Sequence, residues 1–340
     1  MHSFLHITNG DGAANILKQS TLEGDTLPWR DTMHYGPFPD KLNLDDVSLV
    51  RAAYFGGDTK EGQLETKVDF TLRNEHLRAS TRYQEVILWF EHDLLDQLQI
   101  LQLLDWFGHS KEQPNQLSLI CIDQFDGIEP FRGIGQLNPE QMASLFESRT
   151  PISEEQIILA QQGWSAFRSP NPQKLEAFIN TKHIELLPFL KKSLTRHLEE
   201  YPHISDGLTR TERQILTLIA QGHENPGYVF KENMAHETAL FIGDWASYRI
   251  IGELCRCTQP LICCESGNAF MHPPEMNISR NEFIQQRLKL TPVGEQVLNG
   301  ELNATAIIHR DHWLGGVHIH SNKSLWMWDA FNKQLTLKTA

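Results

Sequence analysis

The stretch Glu85-Val86-Ile87-Leu88-Trp89-Phe90-Glu91-His92-Asp93 decides the reading of this chain. Its five consecutive apolar residues, 86–90, are rich in β-branched and aromatic types and too few for a buried helix. They suit a strand covered on both faces, the habit of strands in parallel sheets. The run ends in three ionisable side chains, and a strong helical pattern follows through residue 107. Working outward, Phe4-Leu5-His6-Ile7-Thr8 is a shorter β-like run that breaks at Asn9-Gly10-Asp11-Gly12 and gives way to helical text over 13–19. Residues 26–29 read as a second strand that Pro28 makes irregular or edge-like. Gln116-Leu117-Ser118-Leu119-Ile120-Cys121-Ile122 is another buried strand. Strands alternating with helices define an α/β fold, here a mostly parallel, Rossmann-like sheet with flanking helices.

Past residue 150 the pattern changes. Residues 151–205 read as helices only, opening with Ser153 as N-cap. Residues 206–301 read as three helices, then β-like text at 261–264 and 287–290, the order of a winged-helix domain with a His272-Pro273-Pro274 insertion in its wing. Thr209 and Glu212 stand there at capping-box spacing. In the tail, the runs 313–320 and 325–329 read together as a β-hairpin. The expected domains are a Rossmann-like α/β domain with the candidate site (1–150), a helical connector (151–205), a winged-helix-like domain (206–301) and a C-terminal β-hairpin tail (302–340).

Bulk properties narrow the function. No run in the 340 residues approaches the roughly 18 apolar positions that span a bilayer, and the first residues lack the features of a secretory signal. Four of the five cysteines fall within residues 255–264, which fits reduced thiols in a cytoplasmic protein better than a disulfide frame. The spacing Cys255-x-Cys257 with adjacent Cys263-Cys264 is not that of a zinc site. The net charge is −13, and residues 1–150 carry 12 Lys+Arg against 23 Asp+Glu. This balance argues against nucleic-acid and anionic-membrane partners.

The candidate site lies at strand ends, where open α/β sheets bind ligands. The turn Asn9-Gly10-Asp11-Gly12 precedes a helix whose free N–H groups suit an anion. Its spacing Gly10-x-Gly12-x-x-Asn15 breaks the dinucleotide fingerprint at the third position. Arg30 and His34 follow the second strand, and an arginine there suits a bidentate clamp on phosphate or carboxylate. Glu91-His92-Asp93, with Asp96-Gln97 beyond, is the sharpest cluster: His92 is its one group that titrates near neutrality. Carboxylates at Asp11, Asp31 and Asp93 suit Mg²⁺ or Mn²⁺. The alternation of His318 and His320 places both on one face of a tail strand that could close over the cleft.

The segments 5–11, 27–31 with 34–37, and 88–93 with 96–99 resemble a bacterial family known as domain of unknown function 1835, and Trp313-Leu314-Gly315-Gly316-Val317-His318 resembles its longer members. The resemblance implies a bacterial cytoplasmic protein and brings no activity with it. Members of that family often carry serine where this chain has Gly12, so any role of that hydroxyl is lost here.

Two functions follow as expectations. One is an enzyme, a hydrolase or transferase, acting on a small anionic or phosphate-bearing substrate. Its catalytic residues would be His92, Asp93 and Asp11, and its ligand-binding residues Asn9, Gly10, Gly12, Arg30, His34, Glu91 and His318. A divalent cation, Mg or Mn, is the cofactor that this set of carboxylates would take. The alternative is a non-catalytic ligand sensor or regulator whose winged-helix-like domain contacts a protein or DNA. A protein partner or a homo-oligomer stays open.

Overall fold

In the computed structural model, the apolar run 86–90 is the centre of strand β3 (Tyr83–Glu91), and Val86 to Phe90 are all fully buried. The structure describes residues 2–57, 59–111, 114–272 and 278–339. The N-terminal elements are β1 (His2–Thr8), α1 (Asp11–Gln19), β2 (Asp25–Pro28), α2 (Leu44–Phe55), α3 (Lys60–Arg78), β3, α4 (Leu94–His109), β4 (Gln116–Ile122), α5 (Pro139–Ser144) and β5 (Thr150–Pro151). Two longer helices follow, α6 (Glu154–Phe167) and α7 (Gln173–Ile179).

The strands form one five-stranded sheet in the order β2-β1-β3-β4-β5. The first four are parallel, and β5 joins β4 antiparallel. The chain is therefore a mixed α/β protein with a mostly parallel sheet. Pro28 is tolerated because β2 is an edge strand. Alternation along β3 sends Ile87 and Trp89 to one face, where they meet Ala13 and Leu17 of α1 and Ile134 and Met142. Val86, Leu88 and Phe90 point to the other face. From β1 the chain moves outward to β2, then returns to β3 on the other side of β1. Connections leaving in opposite directions open a crevice beyond the carboxyl ends of β1 and β3.

The remaining elements are α8 (Leu190–Leu198), α9 (Arg210–Ala220), α10 (Pro226–His236), α11 (Asp244–Arg256), β6 (Ile262–Cys264), α12 (Arg280–Gln285), β7 (Leu288–Leu290), α13 (Pro292–Leu298), β8 (Asp311–Leu314), β9 (Val317–His320), β10 (Leu325–Asp329) and β11 (Gln334–Lys338). Helix α9 opens on the expected capping box, with Thr209 accepting from Glu212 N at 3.1 Å and Glu212 accepting from Thr209 N at 2.8 Å. Helices α9 and α11 pack with the antiparallel β6–β7 pair around Ile215, Leu216, Ile251, Ile262 and Leu288.

The compact units fall elsewhere than the expected boundaries. One holds residues 1–194 and 313–318, the other 195–312 and 319–340. The stretch 151–205 is no separate connector, because α6 packs on α4 and buries Leu159, Trp164 and Phe167. The tail is not one hairpin either: β10 pairs with β11, and β8 with β9. Pro273 and Pro274 of the expected wing insertion lie outside the described residues. Among the described residues no helix is long and apolar enough to cross a membrane.

Candidate functional site

The carboxyl end of β3 and the first turn of α4 bring three carboxylates together. Glu91 ends the strand, Asp93 is the N-cap of α4, and Asp96 lies one turn on. Each offers one oxygen, and these lie within 4.8 Å of one another. Local folding explains the positions. Asp93 Oδ1 accepts from Asp96 N at 2.8 Å, an ordinary N-cap bond. Asp96 then turns inward, and its Oδ2 accepts from Glu91 N at 2.6 Å and from Asn9 Nδ2 at 3.2 Å. Gln97 Nε2 donates to Glu91 O at 2.8 Å, which fixes the strand-to-helix turn. Asn9 is thus the residue through which β1 enters the site.

Each carboxylate keeps spare capacity. Glu91 accepts from Ile134 N with Oε2, whereas Asp96 Oδ1 is buried without any hydrogen-bond partner. Among the described residues no lysine or arginine pairs with any of the three. Two carboxylates at this separation repel by about 3 kcal/mol at an effective dielectric constant near 20. The result is visible in their acidity. Burial pushes Glu91 up to about 8 and Asp93 up to about 6, and burial with the neighbouring charges of Asp93 and Glu91 lifts Asp96 well above the carboxylate range. Glu91 and Asp96 are buried, but Asp93 is part-exposed and gives the group its access to solvent. Gly133 closes the other wall. A Cβ there would stand 2.1 Å from Glu91 Oε1, and its φ of +157° also calls for glycine.

His92, on the same strand end, looks elsewhere. Its ring lies 6.2 Å from the rings of Phe131 and Phe189, it bonds the backbone of Ile122, and its Nδ1 is buried without a partner. Burial lowers its pKa, so the ring is neutral near pH 7.

The glycine turn is open. Nothing lies within 4 Å of a Cβ built on Gly10 or Gly12, and no side chain caps α1. The two acids expected to assist Asp93 are taken by arginines. Asp11 holds Arg30 through Nε and Nη2, both at 2.7 Å, and Asp69 takes Nη1 at 2.8 Å. The guanidinium expected to clamp an anion therefore has a carboxylate on each edge. Asp31 is the buried counter-ion of Arg51, with Arg73 at 3.8 Å, and belongs to the core. His34 has both ring nitrogens shielded from solvent, and burial with the Arg51 charge lowers its pKa to about 4. It is a neutral histidine whose ring nitrogens are turned away from solvent. His318 stacks on Trp313 at 4.6 Å, and the Gly315-Gly316 turn beside it is bonded to Phe38 and Phe167. The tail's contact is thus with the end of α6. All five cysteines are free, and among the described residues the three strand-end carboxylates are the one group with metal-ligand spacing.

Sequence reasoning set Asp96 beside the sharpest cluster without giving it a role, and left Gly133 and Ile134 out of the site. Asp96 carried a signal, since it stands three residues after an N-cap aspartate. Gly133 and Ile134 carried none, for they arrive from a loop more than forty positions away in sequence.

Compared with protein-family profiles and with curated proteins, the sequence has no match. Among solved structures it is similar to the DNA-binding, cleavage and re-ligation domain of Plasmodium falciparum topoisomerase II, at a TM-score of 0.46 and 10% identity. That alignment covers 99% of this chain and 54% of the other, so the chain spans about half of its length. So loose a likeness carries no argument about function.

Proposed function

We propose that the carboxyl ends of β1 and β3 form a divalent-cation site at which a small anionic, phosphate-bearing substrate is bound and turned over by hydrolysis or transfer. One observation carries this reading: three carboxylates converge at the sheet's switch point with no positive partner among the described residues, and Asp96 keeps a buried, unpartnered oxygen. Glu91, Asp93 and Asp96 would hold Mg²⁺ or Mn²⁺, hard ions that suit an all-oxygen donor set. When bound, such an ion neutralises phosphate charge and activates water. The uncapped amides at the start of α1, after Gly10, would present their positive ends to the anion. The four motifs that resemble domain of unknown function 1835 support, as part of this proposal, a kinship with that bacterial family, and the chain's free thiols fit a bacterial cytoplasm.

The test is a manganese titration followed by electron paramagnetic resonance, then phosphate release from a phosphomonoester panel with Mg²⁺. Saturable binding that Asp96→Asn abolishes, with turnover lost in the same variant, supports the reading. A metal-free wild type with no turnover overturns it.

A second reading rests on α9, α10 and α11 followed by the antiparallel β6–β7 pair, the element order of a winged helix. Its charge fits a protein partner better than DNA, since Arg249 of α11 is paired with Glu253 at 3.0 Å. In that case the strand-end site binds its ligand without turnover.

A further inference from the structure

A cavity of about 540 Å³ lies in the first unit, between the C-terminal half of α4, the end of α6 and residues 40–44. None of its lining residues belongs to the strand-end site. Its size is that of a small-molecule pocket, which runs to about 300–1,000 Å³.

Two buried polar side chains line it with unused donors. Gln102 is 3% exposed; its Oε1 accepts from Trp29 Nε1 at 2.9 Å, and its Nε2 has no hydrogen bond among the described residues. Arg168 donates from Nε to Pro39 O at 2.9 Å and from Nη2 to Leu42 O at 2.7 Å, which leaves Nη1 in the same condition. Neither donor is sealed in the core, so an acceptor in the cavity can reach both. Trp106 and Trp164 add indole surface, and Lys174 adds a cation at the rim. Two acids line it as well: Asp40 lies 4.0 Å from Lys41, and Asp105 lies 3.4 Å from His109 and near the Arg168 charge.

We propose that this cavity binds a planar aromatic anion, a ring bearing a carboxylate or a phosphate. The ring lies against Trp106 and Trp164, and its anionic oxygens take Arg168 Nη1, Gln102 Nε2 and Lys174. Aromatic rings and a buried arginine are the usual anchors of such a site.

The experiment uses the full chain, tryptophan fluorescence and calorimetry, with AMP and benzoate as probes. Adenosine, benzamide and ribose phosphate are the controls lacking either charge or ring. Saturable binding of AMP or benzoate is expected, with the matched controls weaker by about tenfold or more. Which of the two binds tells a nucleotide from an aromatic acid. Ser165→Trp, at an exposed lining position, fills the cavity and removes the binding, and Lys174→Ala weakens it several-fold. Asp96→Asn leaves it unchanged. The proposal is overturned if neither anion binds at millimolar concentration, if Ser165→Trp binds as well as wild type, or if Asp96→Asn abolishes binding.

Discussion

Asn9 Nδ2 donates to Asp96 Oδ2 at 3.2 Å, and this bond ties the end of β1 to the first turn of α4. It joins two polar clusters that lie 87 positions apart in sequence. Without it, Asp96 Oδ2 would rest on Glu91 N alone. Asn9→Ala is therefore expected to cost about 1–2 kcal/mol in urea unfolding. A loss below about 0.3 kcal/mol would mean that water replaces the amide without penalty.

Asp96→Asn separates stability from function. The amide oxygen still accepts from Glu91 N and Asn9, while a buried carboxyl whose ionisation its neighbours oppose becomes a neutral amide. Metal-free stability at pH 8 should hold or rise. Manganese binding should be lost in the same variant. Paired thermal melts, with and without Mn²⁺, read both effects, and a large destabilisation of the metal-free variant would contradict this account.

Gly133 tests the shape of the site. Alanine there places a Cβ against Glu91 Oε1 on an unfavourable backbone, so Gly133→Ala should cost about 1–3 kcal/mol and weaken cation binding. Gly135 is exposed with open space around it, and Gly135→Ala should be nearly silent. Equal effects of the two substitutions would remove Glu91 from the argument.

His34 makes the first unit sensitive to acid. Its pKa falls from an ordinary 6.5 to about 4 on folding. The unfolded chain then binds more protons between those values, so stability is whole above pH 6.5 and is lost as pH falls towards 4. The loss amounts to about 3 kcal/mol at most. In urea unfolding across pH 4–8, His34→Gln should flatten this part of the profile. A parallel profile in the variant would show that His34 titrates normally.

Arg30 is held on the surface, with its side chain 48% and that of Asp11 54% exposed. Exposed pairs contribute about 0–1 kcal/mol, so Arg30→Gln should barely move the melting temperature. If Arg30 nevertheless contacts the substrate, protection by inorganic phosphate in the same melts will weaken in the variant. Unchanged protection would leave the anion to the start of α1.

By itself the sequence determined what depends on neighbours along the chain. The run 86–90 could only be a doubly covered strand, and Asp93, Ser153 and Thr209 cap their helices because a side-chain oxygen three residues upstream meets a free N–H. Pro28 on an edge strand follows from its missing donor. Only the tertiary structure decided which charges are spent. Asp11 and Asp96 are both early-helix acids in the text. Arg30 arrives beside one, and among the described residues no cation arrives beside the other, because the strand order β2-β1-β3 sets what lies next to each. The same holds for the tail, where β10 found β11, and for α6, which left the expected connector to pack on α4. Capping and periodicity act over a few residues and are written locally. Ion pairing and burial depend on segments tens of residues apart that the sheet brings together, and these convert a string of acids into a site.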